Sequence, residues 1–143
     1  MIIIDALDLP GVRYPAGRVT RPLIGGNSVV QGLHFNQGYV VLDPDGGQVP
    51  WHSHEPEESY FILSGTGELC QGTECVEVHA GQLAYVPPGT YHQLTNTGKE
   101  PLVMLYCCGQ GEVLHGRQEL DGTLPRAGID VPPLPPGARL QSI

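Results

Sequence analysis

Hydrophobic and polar positions alternate along this chain in short runs, broken every eight to twelve residues by turn formers. The runs "SVVQGLHF" (28–35) and "GYVVLDP" (38–44) read as strands, and Asp43-Pro44-Asp45-Gly46-Gly47 reads as the turn that follows. "VPWHSH" (49–54) is a further strand. In "ESYFILSG" (58–65) the alternation sets Tyr60 and Ile62 on one face and Phe61 and Leu63 on the other. "TGELCQGTECVEV" (66–78) places a Gln-Gly turn between two strand-like arms and predicts a hairpin. "GQLAYVPPGTYHQLTN" (81–96) is a strand punctuated by Pro87-Pro88-Gly89, and "LVMLYCC" (102–108) is a buried strand. The tail from about Asp121 contains "VPPLPPG" and predicts an extended segment packed on the body or partly mobile. Many short strands with turns between them predict an all-β sandwich or closed barrel.

Length and composition narrow this picture. The 143 residues suit one domain, with an N-terminal arm over 1–24, a core barrel over about 25–115 and the Pro-rich tail over 121–143. Glycine (20) and proline (14) are frequent, and only 15% of residues are charged, as many turns and few helices require. Seven Lys and Arg stand against fifteen Asp and Glu, a formal charge of −8, and no basic patch forms. Nucleic acid and an anionic membrane surface are therefore not expected partners. The start "MIIIDALDLPG" lacks the basic and long apolar regions of a signal peptide, and no apolar run approaches a membrane span. A cytoplasmic protein is expected, with its four cysteines as thiols. Cys70 and Cys75 can face each other across the hairpin, whereas Cys107 and Cys108, adjacent on a strand, point to opposite faces. The exposed apolar "MIII" predicts an arm that adds a strand to a neighbouring subunit in a two-fold homodimer.

The chemistry concentrates in "WHSHEPEESYFILSG" (51–65). Side chains two apart on a strand point the same way, with Cα atoms about 6.6 Å apart. His52 and His54 then reach one ion while Ser53 points away. Glu58 approaches the same ion from the adjoining strand, and His92, after the Pro87-Pro88-Gly89 turn, adds a third imidazole. Glu55 and Glu57 are rivals to Glu58, but neither fits the alternation leading to Tyr60 and Ile62. Three imidazoles and a carboxylate suit a borderline divalent metal: Fe, Mn, Ni, Cu, Co or Zn. Protein ligands fill four positions, so an octahedral ion keeps two for water, substrate or dioxygen.

These residues resemble the cupin family. Its first motif, G-x5-H-x-H-x(3,4)-E-x6-G, is matched by Gly46, His52, His54, Glu58 and Gly65. Its second, G-x5-P-x-G-x2-H-x3-N, is matched by Gly81, Pro87, Gly89, His92 and Asn96, with fifteen residues between Gly65 and Gly81. The resemblance implies a small single-domain barrel of jelly-roll, double-stranded β-helix type, with His52, His54, Glu58 and His92 holding a metal in its mouth.

Inward side chains then shape the substrate site. Tyr60 is the expected polar group near the metal, and Glu58 the group able to act as a base; Tyr39, Val41 and either Met104 or Leu105 are expected lining. Trp51, Tyr91 and Gln93 are expected to face away from the metal. His34, His79 and His115 fit neither motif. Strands between 38 and 108 carry one basic residue, Lys99, so a strongly anionic substrate is disfavoured and a small neutral or weakly acidic one expected. Three functions follow from such a site. The first is a metal-dependent oxygenase of dioxygenase type. The second is a redox-neutral isomerase, epimerase or lyase, and the third a ligand-binding or sensory module without turnover.

Overall fold

A computed structural model describes residues 1–143. Ten strands form two antiparallel sheets that face each other. The first sheet contains β1 (Val12–Tyr14), β2 (Arg18–Ile24), β3 (Phe35–Leu42), β10 (Leu102–Gly109), β5 (Glu58–Ser64) and β8 (Leu83–Val86), in that order. The second contains β4 (Gln48–His52), β9 (His92–Asn96), β6 (Thr66–Gln71) and β7 (Glu74–His79), in that order. The inner faces meet in one core built from Val40, Leu42, Val49, Tyr60, Ile62, Leu69, Val78, Leu94, Leu102 and Met104. This is the all-β architecture that the alternation predicts, in the jelly-roll form that the resemblance implies. Of the expected arm, Val12–Tyr14 and Arg18–Ile24 are members of the larger sheet, β2 pairing with β3.

Three elements differ from expectation. Residues 28–35 are a loop up to Phe35, with Val29 and Leu33 exposed. Local bonding wins there: Ser28 Oγ donates to Leu23 O, Gly25 N to Val30 O, and Gln31 Nε2 to Gly26 O and Ser28 O. Strand β4 stops at His52, two residues short of His54. A helix, α1 (His115–Asp121), precedes the tail and ends in left-handed Gly122.

Two motif residues serve the fold rather than the site. Gly65 has φ +89°, and a Cβ there would lie 2.8 Å from Leu102 Cα, so only glycine suits this turn. Asn96 is fully buried; its Nδ2 donates to Leu42 O (3.1 Å) and Glu100 O (2.8 Å), and its Oδ1 accepts from Gly98 N (2.9 Å). It ties the end of β9 to the end of β3.

The tail lies along the outside of the smaller sheet. Trp51 Nε1 donates to Pro132 O, Gln93 Nε2 to Arg139 O, and Gln48 Nε2 to Leu140 O, each at 2.9 Å. Trp51 and Gln93 thus face away from the barrel interior and bind the tail, and Trp51 packs on Tyr91 at 5.6 Å between centroids. The β6–β7 register sets Cys70 directly opposite Cys75, and they form a disulfide. The expectation of two thiols there is corrected: the tight Gly72 turn holds both sulfurs together. Cys107 and Cys108 are free, with Cys108 buried.

Candidate metal centre

The site sits where β4, β5 and β9 converge. His52 is drawn inward by a one-residue bulge in β4. Val49 pairs with Leu94 and His52 with His92, so three steps on β4 face two on β9. The bulge resets the alternation, letting both Val49 and His52 point inward while Trp51 points out. Pro50 lies inside it, as expected of a residue that cannot donate to a ladder. His54 lies beyond the strand, in the connection to β5, and Gly89 N donates to its carbonyl at 2.8 Å. Glu58 begins β5 and His92 begins β9.

Backbone carbonyls fix each imidazole. His52 Nδ1 lies 2.7 Å from Pro50 O, His54 Nδ1 2.7 Å from Pro56 O, and His92 Nδ1 2.8 Å from Thr90 O. A carbonyl only accepts, so each Nδ1 must carry the proton, and a neutral ring then presents a lone pair at Nε2. All three Nε2 atoms point to one place. Those of His54 and His92 lie 3.0 and 3.1 Å from Glu58 Oε2, and that of His52 is buried with no partner. Lone pairs facing a carboxylate repel unless a proton or a cation lies between them. One ligand atom from each of His52, His54, Glu58 and His92 falls within 4.8 Å of the others, and all four residues are buried. Carbonyl bonds of this kind orient imidazoles for a metal. The donor set fits a first-row divalent ion.

Electrostatics agree with that fit. Burial, then the charges of His115 and His92, hold His52 well below the ordinary histidine range, so it stays neutral as a ligand must. Burial opposes ionisation of Glu58, but its bonds to His54 and His92 prevail and bring it down to about 2. Burial also opposes protonation of His54, yet the Glu58 bond and charge raise its pKa overall. Without metal, His54 thus keeps its proton to a higher pH than an ordinary histidine, and below that pH a metal must displace it. Metal affinity should therefore rise with pH up to the raised His54 value, by about tenfold per unit for one displaced proton. Competition titrations against a chelator across neutral pH measure the slope; a flat profile would contradict it.

The cavity beside the cluster holds about 330 Å³ and reaches Glu58. Tyr60, Met104, Cys108 and Val40 border it. Tyr60 keeps its proton, because burial and then the Glu58 charge push its pKa up. Lining by Tyr39 and Val41 is corrected to Val40. Val40 lies opposite Met104, which faces inward, and Tyr39 opposite Leu105, so this face of β3 carries the even-numbered residues. Gly38 lies opposite Tyr106, where any Cβ would strike the phenol ring at 2.3 Å. Glu55 is exposed, and Glu57 lies outside the cluster, accepting from Tyr85 Oη at 2.6 Å. His34 and His79 are exposed.

Two residues of the site have no signal in the motifs. His115, the first residue of α1, stacks on His52 at 3.7 Å between centroids, and its Nδ1 is buried without a partner. Arg18, on β2, is buried inside the barrel and pairs with Glu119 of α1. A basic side chain thus enters the interior from outside the 38–108 span.

Residues 38–108 match the family described as Cupin domain. The "Uncharacterized protein MJ1618" of Methanocaldococcus jannaschii is 32% identical over 105 residues, covering 73% of this chain and 82% of that one. The "Oxalate-binding protein" of Thermotoga maritima is 36% identical over 63 residues, 43% of this chain and about half (52%) of that one. The solved structure of the polyketide cyclase RemF from Streptomyces resistomycificus superposes with a TM-score of 0.65 at 23% identity, covering 76% of this chain and 79% of that one. Fold, paired motifs and the convergent His-His-Glu-His cluster agree: the chain belongs to the cupin family, as a small single-domain member.

Proposed function

We propose that this cupin is a divalent-metal enzyme of dioxygenase type that acts on a small organic molecule inside the barrel. The convergence of three Nε2 lone pairs and the Glu58 carboxylate beside a cavity of about 330 Å³ carries this reading. A bound first-row ion supplies Lewis acidity and, for iron, manganese, copper or nickel, redox chemistry with dioxygen. His52, His54, His92 and Glu58 would hold it. Glu58 borders the cavity and would accept a substrate proton if it detaches from the ion; Tyr60, which stays protonated, would donate to a substrate oxygen. Val40 and Met104 give the cavity an apolar wall for the body of that molecule.

An oxygen electrode tests this with iron-, manganese- and zinc-loaded protein and a panel of small organic substrates. Substrate-dependent uptake with iron or manganese and none with zinc supports it. Turnover supported equally by zinc, without oxygen uptake, assigns the redox-neutral isomerase or lyase reading instead. Binding without turnover leaves a ligand-binding module.

The protein is proposed to work as a homodimer with no nucleic-acid or membrane partner; the Cys70–Cys75 disulfide weighs against the cytoplasmic placement expected with four thiols. No helix is long and apolar enough to cross a membrane. Met1, Ile2 and Ile3 are exposed, consistent with arm exchange between subunits. Deleting residues 1–9 should yield a monomer by light scattering, and a dimeric truncation would refute the exchange.

A further inference from the structure

We propose that the cavity contains a carboxylate subsite, in which Arg18 anchors a small organic acid side-on while the rest of the molecule reaches toward the Glu58 cluster. The proposal rests on reading the barrel as a small-molecule site and names the ligand class of that site.

The Arg18 side chain is 4% exposed. Its two hydrogen bonds both leave from Nη1, to Gln48 O (3.2 Å) and to Glu119 Oε2. A guanidinium has five N–H donors. Nε and Nη2 make no bond within the chain, and Arg18 borders the cavity. Those two nitrogens form the side-on fork that receives both oxygens of a carboxylate. The plane of the fork is fixed: the guanidinium carbon lies 4.0 Å above the centroid of Tyr14, and Glu119 is itself held by Ala16 N at 2.9 Å. Little of the Arg18 rotamer entropy is then left to lose when a ligand binds.

Stability alone gives this ion pair weak grounds. A buried pair rarely outperforms apolar side chains of the same volume, because desolvation offsets the attraction. Its position gives a better reason. Two of the seven Lys and Arg residues of the chain, Arg18 and the exposed Arg117, border this one cavity. Glu58 and Glu119 offset them, so a divalent ion in the cluster leaves the site cationic and favours one anion. Val40, Val49 and Met104 offer an apolar wall for the body of that anion. The volume is at the small end for ligand sites, which restricts the ligand to a small acid. The expected neutral or weakly acidic substrate is thereby narrowed to an acid.

Isothermal titration with benzoate and with benzamide, its neutral isostere, tests the subsite in zinc-loaded and zinc-free protein. Benzoate should bind wild type with a Kd on the order of 1 mM or tighter, and benzamide at least about tenfold more weakly. The double variant Arg18→Met/Glu119→Gln leaves no unpaired buried charge; it should lose benzoate binding by about tenfold or more with zinc content unchanged. Arg18→Lys, which keeps the charge but not the fork, should also weaken it. Equal binding of benzoate and benzamide, wild-type benzoate affinity in either variant, or no binding of benzoate at about 10 mM would overturn the proposal. Protein that takes zinc but ignores benzoate loses the subsite and keeps the metal centre. Protein that takes no zinc but binds benzoate through Arg18 keeps the subsite and loses the metal centre.

Discussion

Replacing His52 with alanine empties the metal centre and leaves a folded barrel. Pro50 O, the bulge and His115 set the ring of His52, but its Nε2 is the one ligand nitrogen with no partner inside the protein, and a metal would supply that partner. Loss of a residue that merely orients a ligand costs about 10–100-fold in metal affinity, and loss of a ligand should cost at least the upper end of that range. The fold should survive because its apolar core, from Val40 and Leu42 to Leu94 and Leu102, does not include the imidazole. The bulge that points His52 inward is also a backbone feature anchored at Pro50. Metal content after dialysis, read beside a near-ultraviolet dichroism spectrum, checks both halves. An alanine variant that retains metal, or one unfolded at room temperature, would contradict the account.

Glu119→Ala is the most destabilising single change expected outside the core. It leaves Arg18 charged and buried, and it strips Ala16 N of its acceptor. Removing one member of a buried pair costs about 3–5 kcal/mol. For a chain of this size, that is a fall of about 10 °C or more in Tm. The sign reverses if both charges go. In Arg18→Met/Glu119→Gln no charge is stranded, and the glutamine oxygen still accepts from Ala16 N; its Tm should stay within a few degrees of wild type. Thermal melts of the two proteins make the comparison. Equal losses in both would mean that packing at α1, rather than charge, supports this corner.

The candidate metal cluster was legible in the sequence because its motifs are local. Gly46, His52, His54, Glu58 and Gly65 lie within twenty residues, and the second cluster from Gly81 to Asn96 is as compact. Spacing alone carries that information, even though His54 turned out to lie past the strand end rather than on it. What escaped was non-local. Arg18 and Glu119 are 101 residues apart, and no periodicity links a short N-terminal strand to a seven-residue helix. His115 gave no signal either, since its stacking on His52 depends on where α1 docks. The lining of β3 hinged on a register that places even-numbered residues inside, and a strand of near-continuous apolar residues such as "YVVL" does not announce its inner face. In residues 28–35 the apolar side chains suggested a strand, while Gly25, Gly26, Ser28 and Gly32 had already set the turns that expose Val29 and Leu33.

The measurement that bears most directly on the central claim is metal content by elemental mass spectrometry, on protein purified without chelators or a histidine tag. The account predicts close to one equivalent of a first-row transition metal per chain in the wild type, absent from the His52→Ala protein. A folded wild-type barrel that holds no metal as purified, and takes none after incubation with iron, manganese and zinc, would contradict it.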